Sequence, residues 1–310
     1  MSTYSIKDLE HLSGIKAHTL RIWEQRYGIL TPSRTDTNIR FYGDEELKLV
    51  LNISLLQEHG YKISEIAKMS ADAMNLEVMA LTDKNIKFPD QIQALTIAMI
   101  DLDEDRFEKI MARNILQLGF EQTMINIIYP FLNRLGMLWR TGAVNPAQEH
   151  FITNLIRQKI IVAIDGQPNQ WNEFTRKFML YLPDGELHEI SLLFANYLLR
   201  SRLQKVVYLG QSLPFQDLVA AYEIHKPDFI FTILTSTPPQ DEIQDYVNKL
   251  GETFKESQVL LTGYQVVGQD LATPSNVEIV FRINQLIEIV EEGQLVGNNG
   301  QKDNKKPNLG

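Results

Sequence analysis

Short apolar segments alternate with amphipathic ones through the C-terminal part of the chain, and this alternation restricts the fold more than any other feature. The apolar segments are rich in β-branched and aromatic residues, as strands are. They are Phe178–Leu182, Val206–Leu209, Phe229–Leu234, Val259–Thr262 and Val277–Phe281. Helical periodicity marks His188–Arg202, Phe215–Ile224, Pro239–Phe254 and Ile283–Glu291. This pattern predicts a parallel sheet covered on both faces. We therefore expect a flavodoxin-like (Rossmann-type) α/β domain over residues 171–292.

The loop after the first predicted strand carries a carboxylate and an imidazole two residues apart, Glu186 and His188. Ligands of open α/β sheets bind at this edge, and a metal-ligating histidine usually donates its other N–H to a carboxylate. A helix N-terminal turn that Glu186 caps, with His188 merely exposed, explains the same residues. Taken alone, the stretch favours this second interpretation. The domain has neither a G-x-G-x-x-G fingerprint nor a P-loop.

Four amphipathic helices are predicted before this domain. They are Gln91–Leu102, Glu104–Leu118, Glu121–Trp139 and Pro146–Asp165. Short loops between them predict a four-helix bundle, which we place within residues 76–170, and Pro130 predicts a kink in the third helix. Trp139 and the pair Glu149–His150 then bring an aromatic ring, an acid and an imidazole to one end of the bundle. A tryptophan at an interface beside an ordinary helix start is the simpler explanation of these three residues.

Residues 1–75 have short helices, a glycine-containing turn and a polar hairpin. The first helix ends at Gly14, and the second, Ala17–Tyr27, buries one apolar face while its arginine and histidine side chains point outward. The segment Gly28–Gly43 is rich in turn formers and predicts a β-hairpin wing. Two further helices follow, Asp44–His59 and Ile63–Met69. This order predicts a winged helix-turn-helix domain.

Charge and composition restrict the function further. The net charge is −9, but residues 1–70 hold nine basic and nine acidic side chains, so this neutral part can bind DNA on an otherwise acidic protein. Cysteine is absent, which excludes disulfides, thiolate metal sites and cysteine nucleophiles. No apolar run is long enough to span a membrane and no secretory signal is recognisable, so we expect a cytoplasmic protein without a membrane partner. The Gly-, Asn- and Lys-rich segment 293–310 is predicted to be a disordered tail.

The N-terminal region resembles the DNA-binding domain of MerR-type transcriptional regulators over residues 3–72. The resemblance rests on TLRIWEQRYGIL, on the R-FY of the wing and on ISLLQEHGYKISEIAKM, which match in order and spacing. In that family the second helix enters the major groove of double-stranded DNA and the wing follows the adjacent backbone. The resemblance implies base or groove contacts from His18, Thr19 and Arg21. It also implies phosphate contacts, from Arg26, Tyr27, Arg34, Arg40 and Tyr42.

The bundle and the α/β domain together resemble a cobalamin-binding module. That family has Asp/Glu-x-His-x-x-Gly after the first strand, a Ser/Thr-rich loop after the third strand and Gly-Gly after the fourth. The matching residues are Glu186, His188 and Ser191, then Thr235, Ser236 and Thr237, then Thr262 and Gly263. The W-x9-E-H spacing in the bundle and the order of domains are those of the CarH/LitR group of MerR-type, adenosylcobalamin-dependent photoreceptors. This resemblance extends over roughly residues 3–290.

The resemblance implies adenosylcobalamin as the cofactor. His188 would be the lower axial ligand of cobalt, oriented by Glu186, and the small-residue loops would admit the nucleotide tail. Trp139 would lie over the upper face, with Glu149 touching the adenosyl group. His150 could take the upper axial position after light breaks the cobalt–carbon bond.

Ser191 and Thr262 stand where that family has glycine, and each adds bulk where the nucleotide tail passes close to the backbone. The first hypothesis is a DNA-binding repressor, a homodimer or homotetramer rather than an enzyme, that adenosylcobalamin and light control. The second is a cofactor-independent MerR-type regulator whose α/β domain serves as a protein-interaction or oligomerisation module. The third is a corrinoid-carrying module of a methyltransferase or mutase, although no catalytic domain is left over for it.

Overall fold

A computed structural model describes residues 3–35, 38–84, 88–140, 144–168, 170–172 and 175–300; within these ranges, the side chains of residues 79, 82–84, 137–140 and 292–300 are outside the description. The chain divides into two compact units, Met1–Leu155 and Ile156–Gly310. The boundary between them falls inside one long helix. In the described residues, no helix is both long and apolar enough to cross a membrane.

The first unit begins with a winged helix-turn-helix, as predicted. Its elements are α1 (Ile6–Ser13), α2 (Ala17–Tyr27), β1 (Ser33–Arg34), β2 (Arg40–Phe41), α3 (Asp44–Glu58), α4 (Ile63–Ile66) and α5 (Ala71–Lys84). Ser5 and Asp8 form a capping box at the start of α1, and Gly14 ends this helix at φ +74°. Strands β1 and β2 form a short antiparallel ribbon in which Arg34 lies opposite Arg40.

A run of helices follows. It comprises α6 (Phe88–Asp101), α7 (Glu104–Leu118), α8 (Phe120–Thr123), a π-helical turn (Met124–Ile128), α9 (Tyr129–Arg140) and α10 (Pro146–Asp165). The predicted third helix is therefore one run, Phe120–Arg140, which contains a π-helical turn just before Pro130. Pro130 accounts for this turn, because proline lacks an N–H group and its ring clashes with the carbonyl four residues earlier. The N–H of Tyr129 donates to Met124 O, five residues back.

The second unit contains the parallel five-stranded sheet, in the order β4-β3-β5-β6-β7. Its elements are β3 (Lys177–Pro183), α11 (Ile190–Ser201), β4 (Lys205–Leu213), α12 (Phe215–His225), β5 (Phe229–Ile233), a 3₁₀ turn (Gln240–Glu242), α13 (Ile243–Thr253), β6 (Gln258–Thr262), β7 (Val277–Ile279) and α14 (Ile283–Gly300). Met179 and Tyr181 of β3 belong to the core on one face, and Phe178, Leu180 and Leu182 to the core on the other. The flavodoxin-like prediction is confirmed.

Several predicted helix ends differ from the structure, and two of them bear on the candidate site and on the C-terminal segment. Helix α11 begins at Ile190 rather than at His188, so residues 186–189 form a loop. Helix α14 continues to Gly300, so residues 293–300 are helical where we expected a disordered tail. Glycine lowers helix propensity without breaking a helix, and proline does not occur in this segment before Pro307. Residues 301–310, the rest of the expected tail, lie outside the described residues.

Candidate functional site

Helix α2 presents polar side chains on the face opposite its buried Leu20 and Trp23. His18, Arg21 and Arg26 are exposed, and Thr19 and Tyr27 are half-buried. The arrangement brings together the residues expected to contact DNA from this helix. The guanidinium of Arg26 lies over the Tyr27 ring, 5.4 Å from its centroid. Such a contact fixes both side chains near the C-terminal end of the helix.

The start of α2 is held by a residue of α1 that the sequence did not point to. Lys16, at the N-cap of α2, makes no side-chain cap. Instead, Glu10 Oε2 accepts a hydrogen bond from Ala17 N at 3.0 Å, and Glu10 Oε1 accepts one from Lys16 Nζ at 3.0 Å. These hydrogen bonds, from Lys16 first and from the Ala17 backbone second, lower the pKa of the Glu10 carboxyl. The negative charge lies at the positive end of the helix dipole.

The wing places two arginines side by side. Arg34 is exposed and donates from Nη1 to Asn38 Oδ1 at 2.6 Å. Arg40 is half-buried and donates from Nε to Glu24 Oε1 at 3.3 Å. The structure therefore positions both wing arginines through contacts that the sequence did not predict.

The structure contradicts the phosphate contact expected of Tyr42. Only 1% of this residue is exposed, and its backbone pairs with Tyr4 in both directions, at 2.8 and 2.9 Å. Pairing with the N-terminal segment turns the ring into the domain, where its hydroxyl is covered. Burial, and second the nearby Glu24, raise the pKa of Tyr42. A covered hydroxyl cannot reach a phosphate, so Tyr42 is a core residue of the wing base.

The first turn of α10 carries Glu149, which is half-buried, and His150, which is exposed. The neighbouring Gln148 holds this turn in place. Its Nε2 donates to Ile100 O near the end of α6 at 3.1 Å, and its Oε1 accepts from Asn145 N at 3.3 Å. Gln148 is only 7% exposed, so the contact is a buried one. Trp139 lies in α9, but its side chain is outside the described residues, so its grouping with Glu149 and His150 stays a prediction.

In the second unit, the Glu186 carboxylate is completely buried at the carboxyl edge of the sheet. Its Oε1 accepts from His188 N at 3.1 Å and lies 2.5 Å from His188 Nδ1. Its Oε2 accepts backbone N–H bonds from Thr235 at 3.1 Å, Ser236 at 2.6 Å and Thr237 at 3.3 Å, and a fourth bond from Ser236 Oγ at 3.0 Å. One carboxylate thus joins the loop after β3 to the loop after β5.

These hydrogen bonds decide the charge of Glu186. Burial alone would raise the pKa of its carboxyl, but the bonds from the His188 side chain and from the Ser236 and His188 backbones outweigh it. The pKa lies well below its ordinary value, so Glu186 is ionised at neutral pH. An ionised carboxylate only accepts hydrogen bonds, so His188 donates from Nδ1. In the neutral ring the lone pair is then on Nε2.

The His188 side chain is 64% exposed, and the residue after it is held from two sides. Glu189, 9% exposed, accepts from Arg157 Nε at 2.8 Å and from Tyr208 OH at 3.0 Å. Burial, and second the charge of Glu189, raise the pKa of Tyr208. The imidazole therefore stands on a loop whose preceding and following carboxylates are both anchored. The sequence pointed to Glu186 but not to Glu189, because the partners of Glu189 are distant in sequence.

Gly263 stands at a position where any side chain would meet neighbouring backbone. Its φ is +112°, and an added Cβ would lie 2.4 Å from Leu234 O and 2.7 Å from Leu234 N. The close approach is to the backbone of the neighbouring loop, within the protein itself. Thr262, half-buried, ends β6 and accepts a bond from Leu234 N at 2.8 Å. Ser191 is half-buried in the first turn of α11, a position that does not need glycine.

The donor set fits the lower side of a cobalt corrinoid. An exposed imidazole oriented by a buried carboxylate is a usual metal ligand, so His188 would be suited to hold the metal of such a group. Thr235, Ser236 and Thr237, expected to line a path for the nucleotide tail, also serve this arrangement, because their N–H groups fix Glu186.

Two families match the chain. Residues 4–72 match the family described as MerR HTH family regulatory protein, and residues 91–163 match the family described as B12 binding domain. Together with the fold, these matches fit one class of protein, a MerR-family transcriptional regulator with a cobalamin-binding domain.

Two relatives that are similar over most of the chain are named transcriptional repressors. The chain is 27% identical over 258 residues to the HTH-type transcriptional repressor CarH of Myxococcus xanthus. The aligned residues make up 81% of this chain and 85% of that protein. It is also 27% identical over 232 residues to the HTH-type transcriptional repressor CarA of the same organism. In this case the aligned residues make up 74% of this chain and 75% of that protein. Among solved structures, the monomethylamine corrinoid protein of Methanosarcina barkeri is similar over 64% of this chain and 95% of its own, with a TM-score of 0.51 and 11% identity. This last similarity shows the fold.

Proposed function

We propose that this chain is a DNA-binding transcriptional repressor whose DNA binding or oligomerisation is controlled by adenosylcobalamin and light. The observation that carries the cofactor part is the pair formed by Glu186 and His188, at the sheet edge where open α/β domains bind ligands. The repressor relatives support a regulator rather than an enzyme.

The DNA-binding role is assigned to the outward face of α2 and to the wing. His18, Thr19 and Arg21 would contact bases or the groove. Phosphate contacts are assigned to Arg26, Tyr27, Arg34 and Arg40. Phosphate contacts dominate affinity and depend on salt, whereas base contacts give specificity. The exposure of His18, Arg21, Arg26 and Arg34 supports their assignment to a surface that contacts DNA.

On the lower side of the cofactor, His188 Nε2 would be the cobalt ligand. Glu186 holds the Nδ1 proton and the ring orientation, and the loop 235–237 holds Glu186. Bound adenosylcobalamin would supply a cobalt–carbon bond that light breaks. Ser191, Thr262 and Gly263 would border the nucleotide tail.

On the upper side, the roles come from the resemblance. Trp139 would cover the adenosyl group, Glu149 would contact it, and His150 would be the upper ligand of the illuminated form. Gln148 holds the first turn of α10, which carries Glu149 and His150, against the end of α6. A homodimer or homotetramer bound to DNA in the dark would differ from the illuminated form in cofactor contacts, as a ligand-controlled switch requires.

A second candidate is a cofactor-independent regulator whose α/β domain mediates oligomerisation or binding to another protein. The observation that favours it is Gly263, whose lack of a side chain is explained by Leu234 without any ligand. Under this candidate, Glu186 would be a structural link between two loops.

Retention of cofactor separates the two candidates. The full chain is mixed with adenosylcobalamin in the dark, passed through gel filtration and scanned in the visible range before and after illumination. We expect corrinoid absorbance to travel with the protein and to change on illumination, with His188→Ala losing the axial-imidazole spectrum. Protein that emerges without corrinoid absorbance contradicts the cofactor proposal and leaves the DNA-binding assignment intact.

A further inference from the structure

A carboxylate lies on the part of the molecule assigned to DNA. Glu24 belongs to α2, directly after the buried Trp23, and its Oε1 accepts from Arg40 Nε of β2 at 3.3 Å. The side chains of Glu24 and Arg40 are 17% and 37% exposed. A negative charge near a polyanion is unfavourable by itself. Its presence here requires a compensating contribution.

The wing needs support from outside itself. Each of its strands has only two residues, and an isolated two-stranded ribbon is at best marginally stable in water. The contact between Glu24 and Arg40 joins the wing to α2 across sixteen residues of sequence. It fixes the distance between the helix assigned to the groove and the strand assigned to the adjacent backbone.

The nitrogen through which Arg40 contacts Glu24 determines which nitrogens are left for another partner. Arg40 engages Glu24 through Nε, and the terminal nitrogens Nη1 and Nη2 have no hydrogen-bond partner among the described residues. The guanidinium is planar and its fork of N–H groups suits a phosphate. An arginine held at Nε therefore presents its two terminal nitrogens in a fixed direction.

We propose that Glu24 is a positioning residue for DNA binding, which holds Arg40 so that its terminal nitrogens meet a phosphate of double-stranded DNA beside the groove. The inference rests on the proposed function in one respect, namely that Arg40 contacts phosphate. If Glu24 positions Arg40, removing this negative charge from the DNA-binding surface lowers the affinity for DNA. Charge repulsion alone would make the same change raise the affinity.

Two substitutions of Glu24 separate position from charge. Glu24→Gln removes the charge, and Glu24→Asp keeps the charge but shortens its reach. We expect both to weaken binding by about threefold to tenfold, and to lower the slope of log affinity against log salt by about 0.9, the contribution of one phosphate contact. The control is Glu45→Gln in the same domain. Glu45 contacts Lys48 at 2.7 Å and is not a partner of Arg40, so its loss should leave binding unchanged or slightly tighter.

The measurement is fluorescence anisotropy with the full chain, over a range of salt, on a duplex selected from random sequence by the wild type. Conditions are those in which the wild type binds most tightly. Arg40→Ala and the double variant with Glu24→Gln complete a cycle, and the double variant should bind no more weakly than Arg40→Ala alone. Thermal unfolding of each variant checks the fold, and Glu24→Asp carries the test if Glu24→Gln does not fold.

Three results would overturn the inference: tighter or unchanged binding by Glu24→Gln, wild-type binding by Glu24→Asp, or additive losses in the double variant. Unchanged binding by Arg40→Ala would instead contradict the wing assignment on which the inference rests. A structural role without positioning would lower the melting temperature and leave the salt slope unchanged.

Discussion

Nδ1 of His188 lies 2.5 Å from Oε1 of Glu186, a carboxylate that is wholly buried. The two residues are neighbours on one loop, but the other oxygen of the carboxylate is bound by three consecutive N–H groups of a loop about fifty residues away. The orientation of the exposed imidazole therefore depends on the packing of two loops.

Glu186→Gln should lower the free energy of unfolding of the α/β domain by about 1–3 kcal/mol at neutral pH, because one amide cannot accept all the bonds that the carboxylate accepts. The folded-state pKa of Glu186 is depressed, so its stabilising contribution is present above its ordinary value of 4.5 and is lost as the pH falls below it. The difference in the free energy of unfolding between wild type and variant should therefore become smaller in acid. Denaturant unfolding at several pH values measures it.

The control for this experiment is Glu252→Gln, which changes an exposed carboxylate of α13. It should leave stability nearly unchanged at every pH. An equal difference between wild type and Glu186→Gln at neutral and at acidic pH would show that ionisation of Glu186 does not stabilise the domain.

Gly263→Ala and Gly268→Ala form a matched pair. Both glycines have positive φ, +112° and +77°, but an added Cβ meets the Leu234 backbone only at Gly263 and has nothing within 4 Å at Gly268. Gly268→Ala should cost about 1–2 kcal/mol for the backbone conformation alone. Gly263→Ala should cost more, about 3 kcal/mol or above, because backbone must move. Equal losses in thermal unfolding would mean that the approach to Leu234 is not restrictive.

Tyr42→Phe and Tyr27→Phe separate a buried tyrosine from one at the DNA-binding surface. The Tyr42 hydroxyl is covered and accepts or donates no hydrogen bond among the described residues, so its removal should leave DNA affinity and stability nearly unchanged. Tyr27 is half-buried on α2, and loss of its hydroxyl should weaken binding by about threefold to tenfold if it contacts phosphate. Weaker binding by Tyr42→Phe would restore the assignment that its burial contradicts.

Much of the fold was predictable from the sequence. The strands of the sheet alternate with helices, a pattern typical of a parallel sheet. The ends of β3, β5 and β6 fall within a residue or so of the predicted ones. The start of α11 was misplaced by two residues: Glu186 Oε1 accepts the N–H of His188, and residues 186–189 form a loop before the helix.

Residues of the candidate site could be proposed from the sequence, but the contacts between them could not. The spacing of Glu186 and His188 pointed to a carboxylate–imidazole pair, and their hydrogen bond agrees with it. The contacts of Glu186 with residues 235–237, of Glu189 with Tyr208 and of Glu24 with Arg40 join residues far apart in sequence. Tyr42 was wrongly assigned because an aromatic residue near Arg40 looks like part of an interface until Tyr4 is seen to pair with it.

The most direct test of cofactor control is the DNA affinity of the full chain with adenosylcobalamin, measured in the dark and again after illumination, with His188→Ala treated in the same way. We predict tight binding by the wild type in the dark, a loss of about tenfold or more after illumination, and no light dependence in His188→Ala. Equal affinity of the wild type in the dark and in the light, with and without adenosylcobalamin, would contradict the proposed control of DNA binding.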